Sequence, residues 1–117
     1  MVVGVCRITF SLPGNDSLKG KRSVVRRIID RTRARFNAAV AEVDELDTHR
    51  RAVIGVAVVS NDSSHANSML DHITSFTSSL TEAVITDRSL EILHVEGESA
   101  PLGWPADARA NDDGEES

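Results

Sequence analysis

The feature that most constrains this chain is the order in which its hydrophobic period changes. Residues 2–12 (VVGVCRITFSL) place Val2, Cys6, Ile8, Phe10 and Leu12 on one parity and Arg7, Thr9 and Ser11 on the other, the signature of a strand. Pro13-Gly14-Asn15-Asp16 ends it with turn chemistry. A helix is then expected from between Ser17 and Lys21 to about Phe36, because Val25, Ile28, Ile29, Thr32 and Phe36 fall within an arc of about 100° on a helical wheel. Gly20 lowers helix propensity at the entry, and Asn37 is a C-terminal breaker.

Period two returns at 39–46 (AVAEVDEL), and Asp47-Thr48-His49 reads as a turn. Residues 50–60 (RRAVIGVAVVS) carry apolar side chains on both parities, which is expected of a central strand covered on two faces. Helix caps follow at Asn61-Asp62-Ser63-Ser64, and Ala66, Met69, Leu70, Ile73, Phe76, Thr77 and Leu80 then recur at helical spacing. A last strand spans 84–96, with Asp87-Arg88 as its point of interruption.

The order is a doubled β-α-β. It predicts an α+β, ferredoxin-like sandwich: a four-stranded antiparallel sheet covered on one face by both helices. The second face is left open, and Val3, Val5, Val53, Ala57 and Val59 would make it more apolar than a solvated face should be. A second copy of the chain is the simplest cover, so a homodimer is expected.

Residues 1–97 are read as this one domain. Residues 98–117 change to Pro, Gly, Ala and acid, and are read as a disordered acidic tail carrying the only Trp, Trp104. The tail has six acids and one base, so the net charge of -5 belongs to it and the domain is neutral, with twelve charges of each sign. Cys6 has no internal disulfide partner, no apolar run is long enough to span a membrane, and no leader pattern opens the chain. A cytoplasmic protein without a membrane role is expected.

Neutrality hides polarity. Residues 19–35 hold eight Lys or Arg (Lys19, Lys21, Arg22, Arg26, Arg27, Arg31, Arg33 and Arg35) against one acid, Asp30. On a wheel, Arg27, Arg31 and Arg35 line one edge of the apolar stripe, while Arg22, Arg26 and Arg33 lie near the opposite edge. Guanidinium rows spaced by about 6 Å suit successive phosphates, and arginine favours bidentate phosphate contact. These eight residues are the candidate RNA or phosphate surface. The plainer alternative is a solvated face paired with Glu42, Asp44, Glu45 and Asp47, or with the tail. With only Phe10 as a strand aromatic, any RNA contact would be to backbone and shape rather than by base stacking.

The stretch from Ser17 to Asn37, Val40-Ala-Glu-Val-Asp44, and Arg51-Ala-Val-Ile-Gly-Val-Ala-Val-Val-Ser-Asn-Asp62 together resemble the bacterial YlxP-like family of uncharacterised proteins. With the opening strand the resemblance covers about residues 1–96. It implies a ferredoxin-like fold and no established activity. It implies no catalytic residue or cofactor either. The family's genes often neighbour those of translation initiation and ribosome maturation, which is association rather than mechanism.

Signals for chemistry are weak elsewhere. Gly14 to Ser23 lies between strand and helix like a phosphate loop, but five residues separate its glycines and Arg22 stands where the magnesium-binding hydroxyl belongs. His65 and His72 are two helical turns apart, and His49 and His94 lack ligand spacing, so no metal site is expected. The expectation is a non-enzymatic accessory protein without cofactors, contacting RNA or the ribosome through its first helix. The alternative is a homo-oligomeric interaction module that uses Val3, Val5, Val53 and Val59 and has no nucleic-acid role.

Overall fold

Two long central strands organise the computed structural model, which describes residues 1–96. They are β1 (Val2–Ser11) and β3 (Arg51–Ser60), paired antiparallel from Val2 opposite Ser60 to Ser11 opposite Arg51. Between them in sequence come α1 (Leu18–Arg35) and β2 (Ala39–Asp44), and α2 (Ser63–Ser78) and β4 (Val84–His94) follow. The sheet order is β2-β3-β1-β4 with every pairing antiparallel, the ferredoxin-like arrangement that the element order predicts. The tail from Gly97 onward, Trp104 included, lies outside the described residues.

Alternation decides the faces. Val2, Cys6, Ile8 and Phe10 of β1 and Ala52, Ile54, Val56 and Val58 of β3 point to the helical side and are buried. Ile28 of α1 and Ala66, Leu70 and Ile73 of α2 close over them with no exposed surface. Each large aliphatic group buried this way stabilises the fold by roughly 1.5–3 kcal/mol.

Both helices begin at the caps that the sequence offers. Ser17 Oγ accepts the Gly20 N–H at 3.0 Å, and the Asp62 carboxylate accepts the His65 N–H at 3.2 Å. Gly20 has a steric reason: a Cβ there would lie 2.3 Å from Asn15 Oδ1. The missing side chain lets Asn15 fold back and donate to the Ser17 and His49 carbonyls at 2.9 and 2.6 Å. The propensity lost at Gly20 is exchanged for a fixed entry to α1.

Two bulges adjust the edge strands. In β2, Glu42 faces Ile54 and Asp44 faces Val53, so Val43 is the extra residue. Glu42 consequently stays on the helical side, while Val43 and Asp44 both lie on the open face. The strand stops at Asp44 rather than running to 46, because Glu45 takes a left-handed φ of 57°. In β4, the register moves from Asp87 opposite Thr9 to Ile85 opposite Phe10, leaving Thr86 extra. The expected interruption at Asp87-Arg88 is thus a bulge one residue earlier within an unbroken strand.

Candidate nucleic-acid interface

α1 presents its stripe of Lys21, Val25, Ile28 and Thr32 to the sheet and everything basic except Lys21 to solvent. Lys19, Arg22, Arg26, Arg27 and Arg31 are exposed, and none forms an ion pair among the described residues. The neighbouring acids are engaged elsewhere: Asp44 with Arg7, Glu42 with Lys21, and Glu45 with Arg51. Pairing of the helix with the β2 hairpin, the plainer reading, is therefore confined to Lys21 with Glu42 among the described residues.

The two rows differ in surroundings. Arg33 leans toward β2 and donates to the Val40 carbonyl at 2.7 Å, occupying an acceptor of the edge strand. Arg35 leans toward α2, with its guanidinium carbon 5.2 Å from the Phe76 ring centre and 6.0 Å from that of Phe36. The two rings meet edge to face at 5.4 Å. Arg27 lines a shallow groove against Leu80 and Glu82 at the far end of α2. One row thus flanks the sheet edge and the other flanks the helix–helix groove. Arg27, Arg31 and Arg35 follow one another at about 6 Å along the axis, as do Arg22 and Arg26, while Arg33 lies about 10 Å beyond Arg26.

Lys21 departs from the sequence expectation. It is 1% exposed, with Nζ 2.5 Å from the Glu45 carbonyl oxygen, 3.0 Å from that of Arg51 and 3.0 Å from Glu42 Oε2. Its charge is spent inside the fold and cannot meet a phosphate. The reason is positional: Lys21 lies four residues before Val25, on the buried stripe. The left-handed Glu45 and the Val43 bulge complete its cage from β2.

The open sheet face also differs in part from its expected composition. Val3 and Val5 are half-buried and Val59 is 64% exposed, but Val53 is only 2% exposed and offers nothing to a partner. Val53 lies between the buried Thr9 and Asp44, and the Arg7–Asp44 ion pair joins β1 to β2 across β3, from the level of Gly55 to that of Val53. That bridge, and the packing of Val43 over Gly55, had no counterpart in the sequence reading. Beside the bridge is a concavity of about 670 Å³ with a floor that includes Val5, Gly55 and Ala57, bordered by Arg33 on one side and Glu91 on the other.

Chemical groups for catalysis are sparse. Cys6 is buried and its thiol is pushed up from the ordinary 9.0, by burial first, with Asp71 adding and Arg88 and Thr74 opposing. Among the described residues no cluster of three His, Cys, Asp or Glu could hold a metal ion, and no helix is long and apolar enough to cross a membrane.

Known proteins resemble this geometry and sequence. A family model described as "Protein of unknown function (DUF503)" matches residues 3–90. The uncharacterised protein YlxP of Bacillus subtilis is 35% identical over 66 residues, spanning 56% of this chain and 72% of that protein. Among solved structures, the de novo designed protein LFR1 1 with ferredoxin fold superposes with a TM-score of 0.51 at 19% identity, covering 90% of this chain and 96% of its own. The designed protein Foldit4 gives 0.46 at 12% identity over 81% of this chain and 98% of its own. The LFR1 1 likeness concerns fold alone.

Proposed function

Because the chain belongs to the DUF503 family of proteins of unknown function, for which the family description assigns no activity, we propose a function from its own surface: it contacts RNA through α1. The observation that carries this reading is the set of exposed cations (Lys19, Arg22, Arg26, Arg27 and Arg31) that form no ion pair among the described residues, while Glu42, Asp44 and Glu45 of the β2 hairpin pair with other residues and Asp30 is the one acid on the helix itself. Leaving four arginines unpaired on one helix costs self-repulsion, which a polyanion relieves. The flat rows suit phosphates along a backbone, and the sheet supplies no ring for stacking, since Phe10 is buried. Recognition is then of charge and shape, and the role is that of an accessory protein rather than an enzyme.

The test is binding of a labelled RNA hairpin and single strand, read by fluorescence anisotropy across a salt series. Four phosphate contacts predict an affinity loss of about 10²-fold between roughly 50 and 200 mM salt. Reversing Arg26, Arg27 and Arg31 to Glu should abolish binding with the far-UV spectrum unchanged. Equal affinity of that variant, or a flat salt dependence, refutes the reading.

A second reading is favoured by the apolar open face, where Val59, Leu93 and Val43 are all exposed. This face lies opposite the helices and would bind a copy of the same chain, so it does not compete with the first reading.

A further inference from the structure

We propose that two copies pack open face to open face about a two-fold axis parallel to the strands, so that Glu91 of each copy meets Arg33 of the other. This rests on the second reading above and specifies its geometry.

The self-complementarity is written in the rows across the sheet. Glu91, Val5, Ala57 and Ala39 form one cross-strand row, in the order β4-β1-β3-β2. Ser89, Arg7, Gly55 and Ala41 form the next. In the first row the larger side chain, Val5, is on β1 and the smaller, Ala57, is its neighbour on β3; in the second, Val43 from the β2 bulge packs over Gly55 and Arg7 reaches across to Asp44. A two-fold axis running along the strands between two such faces keeps each residue at its own level but exchanges left and right. It lays β1 of one copy over β3 of the other, and Val5 of each copy therefore descends onto Ala57 of the other. A partner of unrelated shape has no reason to match this alternation, whereas a second copy matches it by symmetry.

The same operation lays β4 over β2. Glu91 is exposed on β4 and has no ion-pair partner among the described residues. Arg33, although it donates to the Val40 carbonyl, keeps other N–H groups of its guanidinium free. Both border the same concavity from opposite edges. After the exchange each carboxylate lies over the other copy's guanidinium, at the rim of an apolar centre contributed by Val3 and Val59. An interface of this kind needs sheets about 10 Å apart, and the small Ala57 side chain beneath Val5 permits that approach. Strands of 10, 6, 10 and 11 residues span roughly 600 Å² per copy. That is the low end of specific interfaces, so the dimer should form and dissociate with concentration.

The experiment is sedimentation velocity of the full chain over a concentration series, with Glu91→Arg, Arg33→Glu and an equimolar mixture of those two variants. Each variant alone should dimerise at least tenfold more weakly, because its two-fold pairs become like-charged. The mixture should recover dimers, since a heterodimer restores two opposite-charge pairs. Recovery on mixing cannot come from misfolded components. Dimers that persist in Glu91→Arg, with no gain on mixing, overturn the proposed register. If Val59→Lys then weakens those dimers, the second reading stands without that register. If the wild-type chain is monomeric throughout, or Val59→Lys leaves its dimers intact, the second reading falls and the register with it.

Discussion

Lys21 offers the sharpest test of how this fold is held. Its ammonium is enclosed, with the Glu45 and Arg51 carbonyls as hydrogen-bond acceptors and Glu42 Oε2 at 3.0 Å as the counter-charge. Glu42→Ala removes the compensating charge and leaves the cation with two neutral carbonyls. Breaking a buried pair from one side costs about 3–5 kcal/mol. The Glu42 side chain is 18% exposed, and the carbonyls still hold Lys21, so the lower figure applies: about 3 kcal/mol, a large share of the roughly 5–15 kcal/mol that holds a domain together. For urea slopes of about 1–1.5 kcal/mol/M this moves the unfolding midpoint down by about 2–3 M. Replacing both residues with apolar ones, Lys21→Met with Glu42→Leu, removes the charges together and should stay within about 1 kcal/mol of wild type. With Glu42→Leu and Lys21→Met as the single changes, a double-mutant cycle, run by urea titration with far-UV circular dichroism, then yields the coupling between the two side chains as the double's cost less the sum of the singles. A Glu42→Ala shift below about 0.5 M would show that Lys21 does not depend on its carboxylate, and the reasoning fails.

Two smaller predictions concern polar atoms in the core. Thr32 Oγ1 is buried without a hydrogen-bond partner, so Thr32→Val, which keeps the shape, should be neutral or stabilising by about 1 kcal/mol; a loss of stability on denaturant titration would reveal a partner for the hydroxyl. Cys6 keeps its proton longer in the folded state than the ordinary value of 9.0 allows, because burial raises its pKa. The folded state therefore holds the extra proton at alkaline pH, and stability present below pH 9.0 is lost as pH rises above it. Thiol labelling at pH 8 should proceed only as fast as unfolding, and Cys6→Ala should flatten the alkaline limb of the stability profile.

Much of this architecture was readable because several local signals agree. Ser17 and Asp62 cap helices where the apolar period changes, and the doubled strand-helix-strand order leaves few topologies open. The parity of β1 and β3 assigned the helical face correctly from Val2 to Val58. What was hidden depends on pairs distant in sequence. Val53 has the parity of an open-face residue yet is buried, between Thr9 on β1 and the Asp44 on β2 that meets Arg7 across the strand. Arg35 looks like any surface arginine until α2 brings Phe76 beneath it. Lys21 is an intermediate case. Its helical phase with Val25, Ile28 and Thr32 marks it as inward-facing, but its charge argues for the surface. Only the cage from β2 and β3 resolves that conflict. The strand ends were misplaced where bulges and the left-handed Glu45 changed the count, features that periodicity cannot see.

The central position of β1 has a temporal consequence. Of the four strands of this sheet it is made before the others, yet it is sandwiched between partners made much later, with Phe10 lying opposite Ala52 on one side and Ile85 on the other. At ribosomal rates of about 5–20 residues per second, it waits on the order of 10 s with at least one backbone edge unpaired. No partial chain can close this sheet, because the last strand made completes the first. Chains cut short before Val84 would thus expose a long, apolar, ready-made template to one another, and closure of the sheet waits until β4 has been made.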